Sequence, residues 1–300
     1  MPSIVGAIPP PPGIIPDFIN PPSLQHVVLI VNIVLPFVSV LFVALRLYTT
    51  GFILRSVGVD DYMIVLAWVS SQSFCICITR YGLGHHLWDV PFSIFNGNFL
   101  RFAAICLAFY GISIMFAKVS ILVLFLRFLP LRHKRAIHAT IAAVVLYSLI
   151  GSFHWLFDCR PLEKLWDLSI TRGSCIEWSK INIFSGVMNT ATDILILLLP
   201  IFMLRKVKLS KWERIGLILA MMTGGSVLII SIIRLKTTVD MAPSQDITWE
   251  YVRNGIWWMI EMHIAIVCAC LPVGRAFLRK HFPYFVDYTF DTSCHGVQNG

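Results

Sequence analysis

Charge is scarce in this chain. Asp, Glu, Lys and Arg supply only 13% of its 300 residues, about half the roughly 25% of a soluble domain. Hydrophobic residues reach 57%, and no water-soluble shell hides that much apolar surface, which excludes a cytosolic, disordered or collagen-like protein. The apolar stretches also lack the period-two alternation of an outer-membrane strand, which excludes a β-barrel. No repeat of fixed period is present. The first 22 residues contain no Lys or Arg and no apolar core of signal-peptide length, so no cleaved signal is expected. They hold 8 of the 16 prolines, and a polyproline-like arm fits that composition.

What is present is a series of long apolar runs. A helix crosses the hydrocarbon core with roughly 20 apolar residues, because each unpaired peptide group there costs several kcal/mol. Seven runs qualify: 27–48, 61–80, 99–126, 136–157, 181–203, 213–235 and 255–278. The fold expected is all-α, a polytopic seven-transmembrane helix bundle over 27–278. An extracytosolic arm (1–26) precedes it and a short cytosolic tail (279–300) follows. Basic residues set the orientation. With the N-terminus out and the C-terminus in, the inner side carries Arg46, Arg55, Arg127, Arg132, Lys134, Arg135, Arg205, Lys206, Lys208, Lys211, Arg214, Arg275, Arg279 and Lys280. The outer side carries fewer, Arg80 and Arg234 among them, diluted by acids such as Asp158 and Asp246. The net charge of +8 therefore faces anionic inner lipid, and nucleic acid is not an expected partner.

Of the eight cysteines, Cys159 and Cys175 alone fall in an extracytosolic loop, where the compartment permits a bridge. A disulfide closing that loop would stabilise by roughly 3 kcal/mol on the chain-entropy model; two free thiols are the alternative. Cys75/Cys77 and Cys268/Cys270 are spaced by two, which puts each pair on different faces of a helix, so apolar packing accounts for them better than metal ligation. His85, His86 and Asp89 fit a loop over the outer mouth better than a metal site, because adjacent His side chains seldom converge on one ion.

Ionisable groups at membrane depth are the strongest functional signals, since an unpaired one is costly there. Lys118, Asp193 and Glu261 qualify. Lys118 and Asp193 lie at depths matching within a few ångströms at 1.5 Å per residue, so an ion pair is expected, serving either as a structural clamp or as a switch. Asn182, Ser185 or Gly186, Asn189 and Asp193 recur at helical spacing and give span five an inward polar face. In the outer half, Glu261, His154, Asn182 and Trp rings including Trp258 can surround an aromatic cavity. The alternative for Trp257 and Trp258 is interfacial anchoring. The catalytic candidates are Glu261 and Asp193.

These residues resemble a known pattern, that of the fungal rhodopsin-domain family of seven-span membrane proteins. The likeness rests on Asp60-Asp61-Tyr62, Gly82-x-Gly84-x-His86-x-Trp88, Lys118-x-Ser120-Ile121-Leu122 and Arg127-Phe128. It continues through Cys159-x-Pro161, Trp166, Cys175, Asn189, Asp193, Pro200, Trp258, Glu261 and Cys270-Leu271-Pro272. The resemblance implies a fungal, receptor-like or transporter-like integral membrane protein, and some such proteins accompany secondary-metabolite clusters. The Cys-rich segment that some receptor-type members carry before span one is not found here, which counts against surface sensing.

No cofactor is expected. Retinal needs a buried lysine, usually in span seven, and 255–278 contains none; Lys118 lies in another helix. Basic inner loops permit coupling to a heterotrimeric G protein, but Leu126-Arg127-Phe128 and Leu271-Pro272-Val273 lack the hallmarks of animal receptors. The primary expectation is a receptor-like multi-pass protein of the plasma membrane or an endomembrane. It would bind a lipophilic small molecule in the outer half of the bundle. A membrane cyclase or isomerase acting on a lipophilic intermediate is the second reading, and a metabolite transporter the third.

Overall fold

The computed structural model describes residues 8–10, 13, 16–18, 21–78, 84–89, 97–128, 134–167, 170–204 and 211–281. Outside them lie most of the expected Pro-rich arm, Arg80, Gly82, the loop cations Arg132, Arg205, Lys206 and Lys208, and the tail beyond His281.

Seven helices dominate: α1 (Gln25–Tyr48), α2 (Val59–Ile78), α3 (Gly97–Phe128), α4 (Lys134–Phe153), α5 (Trp178–Leu204), α6 (Lys211–Met241) and α7 (Ile247–His281). Each contains a stretch long and apolar enough to span a bilayer. The chain is an all-α, multi-pass membrane protein, as its apolar runs predict. A π-turn (Thr49–Ile53) continues α1. The only sheet among the described residues pairs β1 (Cys159–Arg160) with β2 (Ser174–Cys175), antiparallel.

The two largest departures from the expected spans share one reason. Hydropathy drops at the charged residues near 234 and 250, but the backbone needs a stronger signal to leave the helix. Helix α6 runs on to Met241 and stops beside Pro243, where Ala242 and Ser244 turn back onto Val239 and Met241. Helix α7 begins at Ile247, eight residues before the apolar run. Both helices therefore carry polar residues to greater depth than the sequence reading placed them.

Helices α3 and α7 form the centre. Half of the apolar window of α3 and 61% of that of α7 are buried, against 17% for α1 and α6. Their core packs Phe74, Ile64, Met259, Met262 and Ile266 with no solvent exposure. Leu29, Ile33, Phe37, Ile150, Phe184 and Ile229 point outward, the pattern required where lipid is the solvent. At one end of the bundle the chain before α1 meets the α2–α3 loop, through Leu24 N–H to the Gly84 carbonyl (3.0 Å). That loop in turn meets the start of α7, through Thr248 to the His85 carbonyl (2.8 Å). We call this end the N-terminal face, and the opposite one, where Arg46 meets α2 and α7, the C-terminal face.

Candidate functional site

Backbone periodicity brings one side of α5 inward, so that Asn189, Thr192 and Asp193 all lie buried. Lys118 of α3 reaches this side. Its ammonium lies 2.9 Å from Asp193 Oδ1 and donates to Asn189 Oδ1 and the Asn189 carbonyl (2.9 Å each), to Thr192 Oγ1 (2.8 Å) and to the Tyr147 hydroxyl (3.3 Å). The pair anticipated from matched depths thus exists, within a larger cage of acceptors. A buried cation without such a cage would cost several kcal/mol.

Asn189 carries the network onward. Its amide donates to Glu261 Oε1 of α7 (2.8 Å) and to Ser231 Oγ of α6 (3.1 Å), with a weaker 3.4 Å contact to Asp193 Oδ2. Tyr110 donates to Glu261 Oε2 (2.6 Å). The fourth charge is Arg234 of α6, whose Nε lies 2.8 Å from Glu261 Oε2. That distance makes an ion pair, but the N–H is misaligned for a hydrogen bond, and Nη2 has no partner. Two cations, Lys118 and Arg234, thus face two anions, Asp193 and Glu261, all at least 90% buried. The four charges link α3, α5, α6 and α7.

Arg234 corrects the sequence reading, which placed it on the outer surface. It is 4% exposed, because α6 continues seven residues beyond it. Its signal was legible: nothing between Arg234 and Pro243 breaks a helix. Arg46, expected on the inner side, lies at the C-terminal face and is buried, with Nη2 2.6 Å from Asp60 Oδ2, Nε 2.9 Å from Asp61 Oδ1 and Nη1 donating to the Ala269 carbonyl (2.6 Å). Arg127 joins this cluster through Asp60 Oδ1 (3.0 Å).

Other expected site residues part company. Glu261 stands fourteen residues into α7 rather than near its outer end. His154 pairs with Asp158 (2.6 Å) and lines neither cavity. Trp258 is no interfacial anchor: it is buried against Tyr110, Tyr251 and Phe74, with centroids 5.3–6.2 Å away. His86 is stacked between Trp88 and Trp249 (4.5 and 4.0 Å), with Nδ1 2.5 Å from Asp246 Oδ2. Neither Trp249 nor Asp246 was anticipated as its partner. Beyond the spans, Cys159 and Cys175 form a disulfide. The turn before it needs Gly173 (φ +94°), where a Cβ would collide with the Arg160 carbonyl. Exposed Glu177 has its carboxyl lowered by the hydrogen bond and charge of Lys180.

Two cavities flank the charge network. The larger, about 730 Å³ of empty space partly open to the surroundings, lies toward the C-terminal face, lined by Ile121, Phe125, Leu197 and Cys268 with Lys118, Asp193 and Glu261 along its polar wall. The smaller, about 510 Å³ on the same measure, lies toward the N-terminal face among α3–α7. It contains Asn182 and Trp258, as the sequence suggests, together with Asn189, Tyr110 and Arg234. Three buried donors beside it, Asn182 Nδ2, Arg234 Nη2 and Trp258 Nε1, have no partner. Each buried donor left so costs about 1–3 kcal/mol.

The fungal rhodopsin domain model matches residues 45–280, and the chain belongs to that family. It is 24% identical over 261 residues to the polyenoic acids biosynthesis gene cluster protein Ba17b of Metarhizium anisopliae, covering 81% of this chain and 71% of the relative. It is 27% identical over 207 residues to a SAT4 family membrane protein of Emericella nidulans, covering 68% and 52%. A more distant likeness, 22% over 167 residues, joins it to the receptor GIN3 of Arthrobotrys oligospora, covering 55% and 40%. No solved structure matches the chain.

Proposed function

We propose that this fungal rhodopsin-domain protein is a receptor-like binder of an apolar small molecule, held inside the bundle in the cavity toward the N-terminal face. That face is extracytosolic if the basic residues orient the protein as they do other multi-pass chains. The observation carrying this reading is the four-charge network, which touches both cavities and ties four helices together. A molecule seated against Arg234, Asn189 and Trp258 bears directly on the Arg234–Glu261 and Asn189–Lys118 contacts. It can therefore favour one arrangement of the helices over another, as a signal requires differential binding to two states. Relatives named for biosynthetic clusters and one named a receptor agree with a ligand drawn from secondary metabolism.

The enzyme reading draws less support. Glu261, the candidate acid, has both oxygens engaged by Asn189, Tyr110 and Arg234, and among the described residues no nucleophile–base pair adjoins it. The two readings separate in one experiment. Purified protein in lipid nanodiscs is incubated with fractionated organic extracts of a fungal culture that expresses it. A raised unfolding midpoint with the extract unaltered supports the binder. Consumption of a component, abolished by Glu261→Gln, supports the enzyme, and neither effect in any fraction overturns both.

A further inference from the structure

The smaller cavity differs from an ordinary apolar pocket in the sign of its unmet hydrogen bonding. The guanidinium Nη2 of Arg234, the amide Nδ2 of Asn182 and the indole Nε1 of Trp258 come from α6, α5 and α7, line one cavity and lack partners. All three are donors. Two nearby acceptors are already engaged: Asn189 Oδ1 takes Lys118, and Asn254 Oδ1 takes Thr237. A ligand that completes this site must bring lone pairs. Its charge is also constrained, because Lys118 and Arg234 are balanced by Asp193 and Glu261. A carboxylate would add one uncompensated charge to a site already neutral, and desolvating it would not be repaid.

We infer that this cavity is a site for a neutral hydrogen-bond acceptor, a ketone, lactone or amide carbonyl on an apolar skeleton, met by Arg234, Asn182 and Trp258. Leu107 and Ile114 give such a skeleton an apolar wall, beside the hydroxyls of Tyr147, Ser148 and Ser185. The inference rests on the receptor-like reading above and adds the chemical class of its ligand.

The test uses the full chain in lipid nanodiscs with ¹⁵N-labelled indoles, the Trp258 resonance being identified by its disappearance in Trp258→Phe. Three fragments small enough to enter are titrated: cyclohexanone, its isostere methylenecyclohexane, which has no oxygen, and cyclohexanecarboxylate. Cyclohexanone is expected to shift the Trp258 N–H resonance saturably, whereas methylenecyclohexane leaves it in place and the carboxylate binds at least tenfold more weakly. Asn182→Ala, which touches none of the four charges, is expected to weaken cyclohexanone about tenfold, the effect of one net hydrogen bond. Equal shifts from the oxygen-free isostere would overturn the inference, because shape alone would then select. Tighter binding of the carboxylate would overturn it in favour of an anion site. No shift from any fragment would overturn it in favour of donors already satisfied by water. In each of these cases the extract experiment still decides the receptor reading separately, since stabilisation by a fungal fraction survives the loss of the carbonyl assignment.

Discussion

Arg234 and Glu261 meet 2.8 Å apart in the interior of the bundle, one from α6 and one from α7, with almost no exposure of either. Two helices that follow each other in the chain would pack through apolar contacts alone. The charge pair adds a specific register between them. It also makes each partner dependent on the other, because burial removes the water that would otherwise solvate a single charge.

The first prediction follows from that dependence. Glu261→Met leaves Arg234 buried without its counter-charge, and a loss of about 3–5 kcal/mol is expected. Adding Arg234→Met is expected to recover part of it, since the unpaired cation is removed while the Tyr110 and Asn189 donors still lack their acceptor. Unfolding midpoints of Glu261→Met, Arg234→Met and the double variant in detergent complete the cycle. Additive losses would show that the two side chains act independently.

Lys118 and Asp193 are an asymmetric pair. Lys118 retains Asn189, Thr192 and Tyr147 as acceptors when Asp193→Asn removes the carboxylate. Asp193 retains only the 3.4 Å contact from Asn189 when Lys118→Met removes the ammonium. Asp193→Asn is therefore expected to lower stability by about 1–2 kcal/mol and Lys118→Met by about 3–5 kcal/mol. Thermal unfolding followed by tryptophan fluorescence compares them, and the reverse order would refute the cage as described.

How much of this was legible in the sequence depended on which physical signal each feature uses. The seven spans are written in composition, because a bilayer imposes length and apolarity on every helix. The Lys118–Asp193 pair is written in depth, because both helices run in the same direction and rise by a fixed step. Arg234 was misplaced because hydropathy ends a span at a charge, while the backbone continues until Pro243. The ion pairs of Arg46 were not legible, since its partners Asp60 and Asp61 start the next helix and no local pattern shows that they fold back onto α1. The His86–Asp246 contact joins residues 160 apart, a separation at which no local periodicity has reach.

That contact gives a third prediction. Asp246 receives both His86 Nδ1 and the Leu87 N–H (2.9 Å) at the start of α7, whereas His86 contributes one hydrogen bond and its stacking on Trp88 and Trp249. His86→Ala is expected to loosen the α2–α3 loop, and Asp246→Ala to loosen it further, because the backbone anchor at Leu87 is then lost as well. Amide hydrogen exchange at residues 84–89 measures this. Faster exchange in His86→Ala than in Asp246→Ala would mean that stacking, not the carboxylate, holds the loop.

Burial also separates the two arginines on Asp60. Arg46 has no exposed side-chain surface and reaches Asp60, Asp61 and the Ala269 carbonyl, which joins α1, α2 and α7. Arg127 approaches the other oxygen of Asp60, but its side chain remains 34% exposed, so water substitutes for much of what it gives. Arg127→Ala is expected to cost about 1 kcal/mol or less, because Asp60 keeps Arg46. Arg46→Ala is expected to cost about 3–5 kcal/mol, because buried Asp61 loses its cation and Asp60 keeps only the partly exposed Arg127. Raising the salt concentration sharpens the contrast: the Arg127 contribution is expected to shrink as exposed charges are screened, while that of Arg46 holds. Unfolding midpoints of both variants at low and high salt decide it. A salt-sensitive loss in Arg46→Ala would show that solvent reaches the cluster, and that the C-terminal face is more open than its packing suggests.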